Sequence, residues 1–309
     1  MKDRFWFVYM AHGGWQFRKQ AILSISSLVE KGPVPGKILV YTDRPEEFEN
    51  LPAEPVLLDK SRIKRWRGPY GYTHRMKMGL LRDLFGEAGG HVVFVDSDTF
   101  WTDGPTKVCE FLQDGCAVMH DREGALSEGF FPQYLAALRK TEILKKEGIP
   151  VSAPKPVWIF NSGILGLPST MNPDLLEETL RLCDFLCRDV PFTMEWVEQV
   201  AFSYIFQNRG IKIKTCAADL LHYWRDSFEF SRRIRKCSQE ELIGLGKGTE
   251  RVSQLIEEGR RRKRSFWNQL LVRAKRLERS ARKRKRESLV LLERLKFRIL
   301  GMDSPEGRH

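Results

Sequence analysis

A chain of 309 residues, 42% hydrophobic and 11% aromatic, can bury a full core, which excludes wholesale disorder. Six cysteines without a C-x-x-C pair exclude a zinc ribbon and a disulfide-stapled miniprotein, and point to a reducing, cytoplasmic compartment. The net charge of +12 is concentrated at one end: residues 260–300 hold 17 Lys or Arg against three acids, so residues 1–259 are close to neutral.

Residues 4–10 read as a first strand. The apolar run that contains them is too short for the core of a secretion signal and is followed by Gly13-Gly14. Helical spacing at Ile22, Ile25 and Val29 predicts a helix over 18–30, ending before Gly32. Residues 37–43 form a second strand and 55–59 a short third. Residues 72–85 read as a helix closed by Gly86. Val92 to Val95 then run without a polar residue, the habit of a strand buried on both faces of a parallel sheet.

Further along, a helix is expected over 106–114, a strand over 116–120 and irregular chain over 121–132. An extended segment follows around 160–165, then helices over 173–188 and 193–207, and an edge strand over 211–216. There is no internal repeat. Alternating strands and helices imply an α/β fold with a Rossmann-like, mixed but mainly parallel sheet and helices on both faces. In the basic end, Leu270, Ala274, Leu277 and Ala281, and then Leu292, Leu295 and Ile299, step at helical spacing on either side of a like-charge block at 282–286. The expected organisation is a domain over 1–235 and a basic amphipathic helical extension over 236–309. No segment approaches the length of a membrane span.

The buried run at 92–95 ends in Asp96-Ser97-Asp98. Ligands of such sheets sit beyond the strands' carboxyl ends. Two aspartates there repel each other unless a cation lies between them, and hard oxygen ligands suit Mn²⁺ or Mg²⁺. The alternative is a turn that aspartates merely initiate.

Three features now stand together: this D-x-D, Asn161-Ser162-Gly163 some sixty residues later, and His222 in Leu221-His222-Tyr223-Trp224. The layout resembles GT-A-fold glycosyltransferases, most closely the glycogenin and lipopolysaccharide-galactosyltransferase type, over about residues 4–226. The resemblance implies transfer of a hexose, with retention, from a nucleotide-diphosphate-sugar to a hydroxyl of a (lipo)polysaccharide or lipid-linked glycan. It implies a divalent metal held by Asp96, Asp98 and His222, with Ser97 and Gly163 beside the donor. Asn161, Glu198 and Gln199 would stand near the transferred sugar as catalytic residues. Lys77 matches a basic position of the family, and Arg75 beside it could also meet the donor's phosphates.

Other candidates come from position. Glu195, Glu198 and Gln199 share one helix face. The loop with His12 and Gly13 after the first strand, and Asp43 at the end of the second, lie where a nucleotide would rest. The family's Gly- and Lys-rich element after the histidine is here Tyr223-Trp224-Arg225-Asp226, which leaves Arg225 to grip the leaving phosphates.

A haloacid-dehalogenase-type phosphatase would need D-x-D-x-T on its first strand, and a nucleotidyltransferase a Gly-rich basic loop there; neither is present. The non-enzymatic alternative is an adaptor whose tail binds membrane or nucleic acid. The tail interleaves its cations with Leu residues and Trp267, which favours acidic lipid over nucleic acid. The expected location is cytoplasmic, peripheral on the inner face of the plasma membrane.

Overall fold

The computed structural model describes residues 4–128, 132–151, 156–190, 196–258 and 261. The chain divides into two compact units, Met1–Leu255 and Ile256–His309, and the architecture below is that of the first. The helices expected over 270–281 and 292–299 lie outside the described residues, as does Glu195.

The first half lays down β1 (Phe5–Ala11), α1 (Trp15–Glu30), β2 (Gly36–Thr42), β3 (Glu54–Leu57), α2 (Lys60–Arg67), α3 (Arg75–Ala88), β4 (His91–Val95), β5 (Thr99–Trp101) and α4 (Thr106–Gln113). The second half adds β6 (Ala117–Met119), β7 (Arg122–Ala125), α5 (Pro132–Leu138), α6 (Thr141–Lys146), β8 (Trp158–Phe160), β9 (Ile164–Leu167), α7 (Asp174–Asp189), α8 (Val197–Asn208), β10 (Ile213–Thr215), β11 (Leu220–His222), α9 (Ser227–Ile234) and α10 (Gln239–Gly246).

Seven strands form one sheet in the order β10-β6-β9-β4-β1-β2-β3. Every neighbouring pair is parallel except the two made by β9, which runs against both β4 and β6. The expected mixed, mainly parallel α/β sheet is thus present. Alternation along β1 shows both faces covered. Val8 joins the core formed with α3, α7 and α8. On the other face Phe7 packs edge-on against Trp101, and the Tyr9 hydroxyl meets Ser24 of α1 and the Trp101 indole. All five residues of β4 are buried, which accounts for its unbroken apolar pattern.

The reversed strand positions the site. In a sheet of parallel strands, loops at the carboxyl rim follow their strands; only an antiparallel strand brings its preceding loop there. β9 does this, pairing Ile164 with Val95, so residues 161–163 arrive beside the turn that leaves β4. Asp96 N donates to Gly163 O at 2.9 Å and ties the two segments together.

Several elements escaped the sequence reading. In α2, five cations leave only Ile63 and Trp66 as apolar signals, yet Asp59 caps the helix by accepting from Arg62 N at 2.7 Å. Residues 121–132, expected to be irregular, contain β7. The compact unit also runs past the expected boundary at 235: α10, with a Ser238–Glu241 capping box, packs on α1. Gly246 makes that approach possible, because a Cβ there would lie 2.5 Å from Ser26 Cβ. Gly246→Val should therefore lower stability by about 1–3 kcal/mol. Denaturant unfolding would check this, and an unchanged midpoint would mean that α10 contributes nothing to the body.

Candidate active site

The turn after β4 carries both carboxylates and is pinned from below. The Thr99 hydroxyl sits 2.8 Å from Asp96 O and 2.7 Å from the Ser24 hydroxyl. β5 then pairs antiparallel with β11, placing His222 opposite Thr99, and Tyr223 N extends the ladder to Asp98 O at 3.1 Å. This short ladder brings a histidine from late in the chain to the aspartates. His222 Nε2 lies 3.3 Å from Asp98 Oδ1 and 4.0 Å from Asp96 Oδ2. Among the described residues, Asp96, Asp98 and His222 form a group whose ligand atoms lie within 4.8 Å of one another.

Two carboxylates cannot share a half-buried corner without cations facing them. The pair divides its environment. Burial and the neighbouring Asp98 charge push Asp96 upward against the pull of Lys77. For Asp98, burial also pushes upward, but the adjacent His222 more than offsets it and the carboxyl lies below its ordinary range. His222 shows the reciprocal effect: burial disfavours its proton, and Asp98 outweighs burial and raises it.

Lys77, only 2% exposed, donates to Asp96 Oδ2 at 3.0 Å, to Ser162 O at 2.8 Å and to Ser162 Oγ at 3.3 Å, with its ammonium over the Phe94 ring. It is a counter-ion inside the site. Ser162 Oγ passes the network on to Glu198 Oε1 at 3.1 Å, and the Tyr72 hydroxyl donates to the other oxygen of Glu198. Glu198 is held below its usual range; burial raises it, and His74, Lys77 and the Tyr72 hydroxyl together outweigh burial.

His222 Nδ1 lies 2.8 Å from Asn161 Oδ1, which also accepts from Gly163 N at 2.9 Å. An amide oxygen only accepts, so Nδ1 carries the proton and Nε2 turns its lone pair towards the aspartates when the ring is neutral. This oxygen-oxygen-nitrogen donor set fits a divalent ion. Gly163 is required by contact, since a Cβ there would fall 2.2 Å from His222 Nδ1.

The carboxyl ends of β1 and β2 carry a second group. Gly13, at φ 83, donates to Asp43 Oδ2 at 3.2 Å, and Arg18 lies 3.7 Å from Asp43 Oδ1. That Oδ1 is buried and accepts no hydrogen bond. His12 feels Asp43 and Arg67, and burial lowers its affinity for a proton.

The structure therefore brings Asp96, Asp98, His222, Asn161, Gly163, Lys77 and Glu198 into one network, with buried Ser97 between the aspartates. Gln199 joins it through Glu123 at 2.7 Å. Arg75 does not. Its guanidinium donates to Asp184 Oδ1 at 2.6 Å, to Asp184 Oδ2 at 2.8 Å and to Trp66 O at 2.9 Å, tying α3 to α7. The side chain of Arg225 lies outside the described residues. Sequence reasoning missed Tyr72, Ser162 and Glu123. Ser162 was visible only as the middle residue of Asn161-Ser162-Gly163, and nothing local marks the other two.

No family model and no curated protein matches the chain. Solved structures do. Mouse xyloside xylosyltransferase 1 is 13% identical, covering 69% of this chain and 85% of its own, with a TM-score of 0.43. The galactosyltransferase LgtC, solved with donor and acceptor sugar analogs, is 12% identical, covering 82% and 95%, with a TM-score of 0.40. The glycosyltransferase GlyE of Streptococcus pneumoniae TIGR4 is 11% identical, covering 84% and 64%, with a TM-score of 0.42. With all three TM-scores below 0.5, function has to be argued from the site.

Arg75→Ala should lower stability by about 2–3 kcal/mol and leave divalent-ion affinity within twofold. Calorimetric unfolding and Mn²⁺ titration separate the two effects. Gly163→Ala should do the opposite, costing at least tenfold in Mn²⁺ affinity while the far-UV circular dichroism is unchanged. Native affinity in that variant would contradict the His222 placement.

Proposed function

We propose that this chain is a metal-dependent glycosyltransferase that moves a hexose from a nucleotide-diphosphate-sugar to a hydroxyl of a glycan acceptor. The observation that carries the reading is the triad itself. Two aspartates and a histidine of defined tautomer converge at the carboxyl end of β4 in a mainly parallel sheet. Asp96, Asp98 and His222 would hold the ion, Mn²⁺ or Mg²⁺. Bound there, it would supply charge neutralisation for a leaving diphosphate.

The chain's own groups divide the remaining work. Asp43, with a buried oxygen that accepts no hydrogen bond, suits a ribose hydroxyl, and Gly13 permits close backbone approach. Lys77 holds Asp96 in place and screens the two aspartates from each other. Asn161 orients His222. Glu198 stays ionised, poised to accept hydrogen bonds from sugar hydroxyls on the side away from the ion. Gln199 lies next to it, on the first turn of α8.

The C-terminal extension beyond the first compact unit belongs to the same proposal. Its cationic stretch at 260–300 would hold the enzyme on an anionic membrane surface that presents a lipid-linked or lipopolysaccharide acceptor, at about 1 kcal/mol per cation near the lipid. No described helix is long and apolar enough to cross a membrane. A chain cut after residue 259 should no longer sediment with phosphatidylserine vesicles; sedimentation equal to the full chain would remove the tail from the proposal.

Asp98→Asn should abolish both sugar transfer and hydrolysis of the donor, with the fold retained. Screening nucleotide sugars for Mn²⁺-dependent thermal stabilisation identifies the donor. If no nucleotide sugar stabilises the protein with Mn²⁺ present, the transferase reading fails. Metal affinity should also fall on acidification. His222 must lose its proton to bind, and Asp98 raises its pKa against the effect of burial, so the loss sets in at a higher pH than for an ordinary imidazole and approaches about tenfold per unit once the ring is protonated. Titrations at pH 8 and pH 6 measure the effect, and equal affinities would exclude the imidazole as a ligand.

A further inference from the structure

Two amides of the site converge on one carboxylate that has no place in the chemistry above. Asn161 Nδ2 donates to Glu123 Oε1 at 2.9 Å, and Gln199 Nε2 donates to Glu123 Oε2 at 2.7 Å. An ionised carboxylate only accepts, so both amides must turn their NH₂ groups towards it. For Asn161 this fixes Oδ1 on the far side, where it accepts from Gly163 N and from His222 Nδ1. The orientation of one amide thus decides which imidazole nitrogen bears the proton.

The backbone supports this arrangement independently. β7 pairs Arg122 with Phe160 and then Gly124 with Ile159, so Glu123 is the extra residue of a β-bulge. Gly124, at φ 150, adopts a backbone conformation that other residues resist. Bulges beside sites re-aim a side chain that regular alternation would send elsewhere. The neighbouring Arg122 lies over the Trp158 ring, 4.4 Å from its centroid, which leaves the Glu123 oxygens to the amides. Glu123 is exposed overall, and both of its oxygens are engaged by the amides.

We propose that Glu123 is a positioning residue: through Asn161 it locks His222 as the Nδ1–H tautomer and so presents Nε2 as a metal ligand. The inference rests on the metal site proposed above and adds a residue that acts on that site without touching the ion. A glutamine at 123 has the same shape but one acceptor and one donor end. It cannot accept from both amides, so one of them must flip or lose its partner.

The experiment compares the full-length native protein with Glu123→Gln and Glu123→Asp. The first readout is Mn²⁺ affinity by calorimetric titration. The second is the His222 tautomer in metal-free protein at pH 9, from long-range ¹H–¹⁵N correlations of ¹⁵N-histidine-labelled samples, with His222→Gln to assign the signal. Glu123→Gln should weaken Mn²⁺ binding about tenfold and give His222 a substantial Nε2–H population. Glu123→Asp, which keeps two acceptors, should bind Mn²⁺ more tightly than Glu123→Gln. Native affinity together with an unchanged Nδ1–H signal in Glu123→Gln would overturn the proposal. If the native protein binds no Mn²⁺, the metal reading falls by itself, and the tautomer measurement still decides the role of Glu123.

Discussion

Holding two half-buried carboxylates one residue apart is the constraint around which the rest of this molecule is arranged. Each ion taken from water costs several kcal/mol unless charge or hydrogen bonds replace the lost solvent, and two together add their mutual repulsion. Asp96 meets Lys77 on one side, and Asp98 meets His222 on the other. Neither partner is near in sequence. Lys77 comes from the first turn of α3, where a helix dipole disfavours a cation, so its place is set by the acid groups it faces and not by the helix. His222 comes from a three-residue strand that exists only as a partner for β5. Without the carboxylates, neither placement has an electrostatic reason.

The elements that deliver these groups are the ones with the plainest sequence signals, and that decides what could be read in advance. The continuous apolar run of β4 marks a strand covered on both faces, and Asp96 and Asp98 had to lie at its end. The spacing of Ile22 and Ile25 marks α1, and Thr42 followed by Asp43 marks the end of β2. The partner of Asp96 was not legible, because Lys77 reads equally well as an outward cation reaching for phosphate; only the depth of α3 against β4 separates the two. Arg75 carried the same ambiguity with the opposite outcome, since Asp184 lies in α7, more than a hundred residues away, and nothing local connects them. Helix α2 failed for another reason: its stability comes from the Asp59 cap and from Trp66 packed under Tyr41, not from an apolar stripe.

A bulge is still harder to foresee. Arg122-Glu123-Gly124 looks like solvent-facing loop, and the alternation rule for strands sorts residues by parity. An inserted residue breaks parity, so the side chain that matters falls outside the pattern that would reveal it. Gly124 was the one available signal, as an isolated glycine in an extended segment, but it is informative only once the segment is known to be a strand.

Lys77 and Ser162 connect the two acidic halves of the site. One half, Asp96, Asp98 and His222, is organised for a cation. The other, Glu198 with Tyr72 and His74, contains an ionised carboxylate and groups that stabilise it. Lys77 bonds to Asp96 and to the backbone and hydroxyl of Ser162, and that hydroxyl bonds to Glu198, so a displacement of either acid is felt by the other through three hydrogen bonds. The Ser162 hydroxyl therefore serves both groups at once. The methyl of alanine would leave Glu198 short of one donor and Lys77 short of one acceptor, in a place where both are buried. The hydroxyl lets one loop, delivered by the single reversed strand of the sheet, satisfy a lysine and a glutamate while its neighbours Asn161 and Gly163 fix the imidazole. Three consecutive residues thus meet Lys77, Glu198 and His222, and they reach all three because the strand that follows them runs against its neighbours.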